Sequence, residues 1–429
     1  MFKRIMTGVI ALALLFAISS CDLIDNIKSA VESVIGVDDS KINRHEYTAE
    51  EYKIPTQIGE FKSVDRTDYI CYKNLTDAQK TAYDYMYDSA MKMDKALFYV
   101  GECTSQDVAV AFHSLSYDCP YLIWLPSSYG VSEQEDGTFV RFVDPDGKYS
   151  YTMTPQQRDL SLGMLYNEIN LFVTQNLIST MTDYEIELAV HDWLCKQITY
   201  NKEAADAVKT DSEKYYAYAW TPYGAIIKDS AVCAGYSKAM QMVLNYVGIE
   251  CGSLRVTSKE EMHMVCIVNI DEKWVYVDPT WNDKEACGLT YTHDYFNLTY
   301  EEMKPTHNIF EPWNDVLKKG DRLNSNFNVY LPKSDSEEYN YYKISGLQIN
   351  SEAEFKQKIV SEFVKAIQRG ETSLEFQFTY CESTNDMIDQ LIDKYDVIKE
   401  IGRRTRKLQS VQYASLNNGA FSMSVKFKE

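Results

Sequence analysis

The chain is poor in positive charge. It has 43 Lys and Arg against 63 Asp and Glu, a formal net charge of −20. Binding a phosphate backbone needs clustered Lys and Arg, so nucleic acid is not an expected partner, and neither is a mainly electrostatic hold on anionic lipid. The ten cysteines contain no CxxC pair, which leaves structural zinc and thioredoxin-like chemistry without their usual spacing. The acidic turns DPDG and DEKW supply too few ligands for a calcium loop. No cofactor and no metal are therefore expected. No internal repeat or low-complexity tract is present. What remains is an ordinary globular balance, 45% hydrophobic and 25% charged over 429 residues, with room for two or three domains.

The first residues read differently from the rest. MFKR is a positive start, IMTGVIALALLFAI is an uncharged apolar run, and SSC follows with Cys21 at its end. This is the pattern of a signal peptide, too short and wrongly flanked for a membrane span. A cysteine just after the apolar run resembles a bacterial lipobox, with Ile18 and Ser20 departing from its usual residues. The resemblance implies cleavage before Cys21, a lipid on its sulfur, and an exported, membrane-anchored lipoprotein of the bacterial cell envelope. Several acyl chains would anchor it firmly, at roughly 0.8 kcal/mol per buried CH₂. Export permits disulfides, but their pairing is not readable from the spacing.

We expect residues 1–20 to be the signal peptide and 21–46 a lipid-anchored tether with helical periodicity at Leu23, Ile24, Ile27, Val31 and Val34. Residues 47–180 read as an α+β region. Thr76 and Gln79 spell a capping box for a helix to about Met93, Ser105 opens a second, and Thr154-Pro155 with Gln157 opens a long one. KALFYVG, YLIWL and TFVRFV read as strands, with DPDG as a hairpin turn before KYSYTM. Thr182 and Glu185 start a helix in which the neighbours His191 and Asp192 should point to different faces. Residues 312–429 read as a separate βαβαββ unit: KISGLQI, a helix from Ser351 to Arg369, SLEFQFTY, a helix near 385–400, and two strands joined at NNG. It has no histidine and a single cysteine, so no catalysis is assigned to it.

The chemistry concentrates in residues 181–311. In SAVCAGYSKAMQMVLNYVGIE, an apolar stripe of Ala239, Met240, Val243, Leu244 and Val247 defines a helix that Gly248 stops. Cys233 falls at its N-terminus, where unpaired N–H groups and the macrodipole favour a thiolate and can hold an oxyanion. MHMVCIVNI alternates as a strand with His263 on the face of Val265 and Ile267, and WVYVDPTW is a second strand with Asp278 on the face of Trp274 and Tyr276. With Asp271-Glu272 as a two-residue loop, paired residue numbers sum to 543. His263 and Asp278 then become diagonal neighbours on one face, about 7–8 Å apart at Cα. A thiolate needs a base, which His263 supplies, and the imidazole needs an acceptor, which Asp278 supplies. Trp281 is placed to cover that pair and keep water from it.

VCAGYS, a strand histidine and WVYVDPTW together resemble the transglutaminase-like superfamily of papain-like fold. The resemblance covers about 183–300, including HDWLCKQITYN, YGAIIKDS and HDYFNLTYEEM. It implies a papain-like/transglutaminase-like α+β core, to which the residue patterns add the N-terminal α+β extension and a small C-terminal α/β sandwich. By motif position, Cys233 would be the nucleophile, His263 the base, Asp278 the orienting residue, and Tyr223 a helper at the oxyanion. Family members often carry a Trp soon after the histidine, whereas HMVC follows here. The implied reaction is attack on an amide of a peptide or protein through a thioester. Cell-wall peptides are expected substrates, with hydrolysis favoured over cross-linking to an amine. A non-catalytic surface protein using the same groove is the alternative from another class, and a purely structural shell ranks last.

Overall fold

The computed structural model describes residues 57–143, 153–207, 213–318 and 327–428. Cys21, the signal peptide, the tether and the DPDG turn lie outside them. The fold class is α+β. One apolar cluster runs from Ile70 to Val329, and a second from Tyr342 to Val425.

The first third builds one side of the larger core. Helix α1 (Asp77–Lys92) is closed by the Thr76/Gln79 capping box. Strand β1 (Phe98–Tyr99) and helix α2 (Ser105–Asp118) follow; the cap of α2 is Thr104, one residue before the expected Ser105. Strands β2 (Ser128–Gln134) and β3 (Gly137–Val143) complete an antiparallel sheet of order β1-β3-β2.

YLIWL, expected as a strand, is instead a run of turns. Leu122 N–H donates to Cys119 O and Leu125 N–H to Leu122 O, while Trp124 is fully buried with its Nε1 donating 2.8 Å to Ala90 O. An apolar run does not by itself say which backbone form will bury it. Buried Asp118 ties this turn back, accepting from the N–H groups of Cys71 (3.0 Å) and Tyr72 (2.8 Å).

Helices α3 (Pro155–Asn176) and α4 (Asp183–Gln197), each opened by a Thr capping box, lead to α5 (Pro222–Ile227) and α6 (Cys233–Val247). Almost every side chain of α6 is buried, and Gly248 at φ 98 ends it. Gly235 lets its first turn approach the preceding segment: a Cβ there would stand 2.5 Å from Ala219 O and 2.6 Å from Ala231 Cβ.

Against α6 lies an antiparallel sheet of order β6-β5-β4-β7, made of β4 (Cys251–Ser258), β5 (Glu261–Ile270), β6 (Lys273–Val277) and β7 (Asn308–Ile309). Both hairpins turn on two residues of positive φ, Lys259 (50) with Glu260 (67) and Asp271 (47) with Glu272 (65). That is the turn type whose twist matches paired strands. The second turn sets Val268 opposite Val275 and Cys266 opposite Val277, the register expected from the spacing. After β6 comes the single turn α7 (Pro279–Asn282).

The smaller core holds a sheet of order β8-β9-β11-β10 with three helices. Its elements are β8 (Gln348–Ile349), α8 (Phe355–Gln368), β9 (Ser373–Phe378), α9 (Asn385–Lys394), α10 (Val397–Arg404), β10 (Leu408–Ser415) and β11 (Ala420–Phe427). KISGLQI is not one strand: Tyr341–Ile344 form a helical turn and only Gln348–Ile349 pair, parallel to β9. The helix expected near 385–400 is two helices, parted at Asp396 (φ 51).

Candidate active site

Cys233 is the first residue of α6, after Val232, which offers no side-chain cap. The N–H groups of Gly235 and Tyr236 donate to Val232 O (2.8 and 3.2 Å), so of the first turn only those of Cys233 and Ala234 lie ahead of the helical ladder. Tyr117 and Tyr200 lie near on other elements. Burial chiefly raises both phenols, with a smaller contribution from the nearby Cys233 side chain; Tyr200 is pushed up to about 12.

His263, near the start of β5, donates from Nε2 to Asp278 Oδ2 over 2.7 Å. Its side chain is 9% exposed and that of Asp278 is 0% exposed. Burial works to lower the imidazole pKa. The charge and hydrogen bond of Asp278, with a smaller contribution from the Cys233 side chain, outweigh it and raise the value to about 10. Because Nε2 is committed to Asp278, Nδ1 is the nitrogen left for the thiol.

Asp278 is the N-cap of α7. Its Oδ1 accepts from the N–H groups of Thr280 (3.0 Å) and Trp281 (3.1 Å). Burial works to raise its carboxyl, but the charge and hydrogen bond of His263, then those of His307, hold it well below the usual carboxylate range. The Trp281 ring stands 4.8 Å from His307 and 6.1 Å from His263, with Lys259 Nζ 5.1 Å from its own centre. Thus the structure brings together Cys233, His263, Asp278 and Trp281. Tyr223 lies in the first turn of α5 and is buried.

Sequence reasoning missed His307. It is fully buried and donates from Nε2 to Asp278 Oδ2 over 3.1 Å. It also missed a second polar cluster behind the site. His191 and Asp192, expected on different faces of α4, are bonded Nδ1 to Oδ1 at 2.9 Å. His293 places Nε2 on the same Asp192 oxygen (3.0 Å) and Nδ1 on Glu375 of β9 (2.8 Å). Burial opposes its charge, but the two carboxylates, Glu375 first, raise it to about 9. No signal at fixed sequence spacing could have revealed contacts across such distances.

Each group, His191/Asp192/His293 and His263/Asp278/His307, has donor atoms within 4.8 Å of one another, close enough to consider a metal ion. Protons fit better. Asn282 Oδ1 accepts from Tyr295 N–H (2.9 Å), so its Nδ2 donates to His191 Nε2 (3.0 Å). His191 then carries its proton on Nδ1, toward Asp192, where an ion would need a lone pair. At the other group, Asp278 Oδ2 already accepts from both imidazoles, and an ion on His263 Nε2 would displace the proton that makes the shorter of these bonds.

Residues 173–279 match the family model of the transglutaminase-like superfamily, so the chain carries a transglutaminase-like domain. The matched segment contains Cys233, His263 and Asp278 and ends before His307. No curated protein matches. Among solved structures, a TGase is similar at 15% identity and a TM-score of 0.27, over 40% of this chain and 49% of that one. A proposed cysteine protease from Cytophaga hutchinsonii is similar at 12% identity and a TM-score of 0.21, over 36% of this chain and 62% of that one. The chain thus spans less than two thirds of either structure.

Proposed function

We infer, from a chain that carries a transglutaminase-like domain, that Cys233, His263 and Asp278 cleave amide bonds of peptides or proteins through a thioester. The observation that carries this reading is the His263 ring bonded to Asp278 through Nε2, in the same matched segment as a cysteine that opens helix α6. At the start the Cys233 proton resides on His263 Nδ1, in a ring that Asp278 holds as a cation, and the ionised sulfur attacks the substrate carbonyl. The developing oxyanion lies at the N-terminus of α6, where unpaired N–H groups can donate to it. His263 then returns the proton to the leaving amine, and the thioester remains on Cys233. Water, deprotonated by His263, releases the acid and restores the sulfur–imidazolium pair. Asp278 orients the ring throughout and stabilises its cation.

The N-terminal pattern extends the proposal. With residues 1–20 as a leader and Cys21 lipidated, the enzyme would stand on the cell envelope, where peptide stems of the wall are at hand; the residue pattern alone supports this placement. The test is activity-based labelling with an electrophilic peptide library, with the modified residue mapped by mass spectrometry. Rapid modification of Cys233 at neutral pH, and loss of labelling and turnover in Cys233→Ala, is the expected result. A Cys233 that labels no faster than a free thiol, in a protein that still retains a bound peptide, turns the reading to a binding groove.

A further inference from the structure

We propose that His307 is a positioning residue for this site: from outside the family-matched segment it pins Asp278 Oδ2 in the place from which that oxygen can hold His263. The inference rests on the catalytic reading above for its consequence, though not for its geometry.

Asp278 has two oxygens held in different ways. Oδ1 is fixed by two backbone N–H groups of its own helical turn. Those bonds act on one oxygen alone, and the broad last torsion of the side chain is fully fixed only when the second oxygen has partners of its own. Oδ2 is the oxygen that matters for His263, and His307 reaches it from another side at 3.1 Å. Four donors then fill the four lone-pair positions of the carboxylate. An ionised carboxylate has no proton to give, so the proton of this bond belongs to His307 Nε2.

His307 is itself held firmly. Its Nδ1 lies 2.9 Å from Thr306 Oγ1, and its N–H donates to Met303 O (3.1 Å) at the end of the turn Tyr300–Met303. Its ring packs 4.8 Å from Trp281 and edge-on to Tyr295 at 5.5 Å. The two imidazoles that share Oδ2 are 5.4 Å apart between centroids. The groups facing His263 are therefore Asp278, Cys233 and His307, with Trp281 over them. Its hydrogen bond also helps to keep Asp278 ionised, so the carboxylate acts as an acceptor and not as a competing base.

The test compares His307→Gln, whose amide N–H reaches a similar point, with His307→Phe, which keeps the ring and loses the donor. Two quantities are read in the full chain: the iodoacetamide alkylation rate of Cys233, followed by peptide mass spectrometry, and the titration of the His263 ring by NMR, tractable with six histidines. Losing a hydrogen bond to a charged group is worth about tenfold or more. We expect His307→Phe to slow alkylation at pH 7 by that factor and to move the His263 titration down toward its ordinary value, while His307→Gln stays near wild type in both. If His307→Phe does not fold, His307→Asn, too short to reach Oδ2, replaces it. A donor-less variant that matches wild type in both readouts overturns the proposal. So does a His307→Gln variant that folds yet is as impaired as the donor-less one. A wild-type Cys233 no faster than a free thiol would sink the catalytic reading, and the His263 titration would still decide the role of His307.

Discussion

His263 Nε2 stands 2.7 Å from Asp278 Oδ2 although the two residues are not cross-strand partners. The β5–β6 ladder ends at Cys266 and Val277, and Pro279 starts the next turn. Asp278 is therefore one step past the last paired residue, close enough to bond and free to cap α7. One residue serves as helix cap and as imidazole partner, and its two oxygens divide the work.

This pair should set the pH response. The His263 pKa is raised, so its contribution to stability is fully present below the unfolded value near 6.5 and is lost as pH rises through about 10. The Asp278 pKa is depressed, so its contribution is present above the unfolded value near 4 and is lost as pH falls through the lower folded value. The destabilisation caused by Asp278→Asn, measured by urea unfolding, should be largest between these two unfolded values and should shrink toward pH 10. A destabilisation independent of pH would contradict the pairing.

Trp281→Ala should uncover the pair. Water would then screen the attraction between His263 and Asp278, and the His263 titration should move from about 10 toward 6.5. The half-buried ring should also cost about 2 kcal/mol of stability, below the range for a fully buried aromatic. NMR titration and thermal unfolding read the two effects separately.

Gly235→Ala should destabilise the protein despite alanine's better helix propensity. The added Cβ would meet the backbone oxygen of Ala219, which cannot step aside. Overpacking of this kind costs about 1–3 kcal/mol, against about 1 kcal/mol gained from propensity. Because the strain falls two residues from Cys233, alkylation of that thiol by iodoacetamide should slow as well.

Glu375→Gln should loosen the smaller core from the larger one. Glu375 accepts from His293 Nδ1 (2.8 Å), His293 N–H (2.9 Å) and Tyr342 OH (2.7 Å). Removing its charge should cost on the order of 2 kcal/mol and speed proteolysis between residues 331 and 340. The His293 pKa is raised, so its share in the contact is present below about 6.5 and fades as pH climbs through about 9. The difference between variant and wild type should narrow over that window.

Much of the site's framework was legible because it is local. A strand repeats every two residues, so once the Asp271-Glu272 turn was placed, His263 and Asp278 had to share a face. Capping boxes at Thr76, Thr154 and Thr182 are three-residue signals, and all three open helices. YLIWL failed for the converse reason. Its apolar content demanded burial, but whether as strand or turns depended on Ala90 O, some thirty residues back, waiting for the Trp124 N–H.

By itself, then, the sequence determined where helices start, which strand residues share a face, and that a cysteine would stand at a helix N-terminus, since each depends on neighbours a few positions away. Only the tertiary structure decided that His307 completes Asp278 and that His293 joins Asp192 to Glu375. Those bonds close loops of many residues, and their partners are chosen by packing, which leaves no periodic trace along the chain.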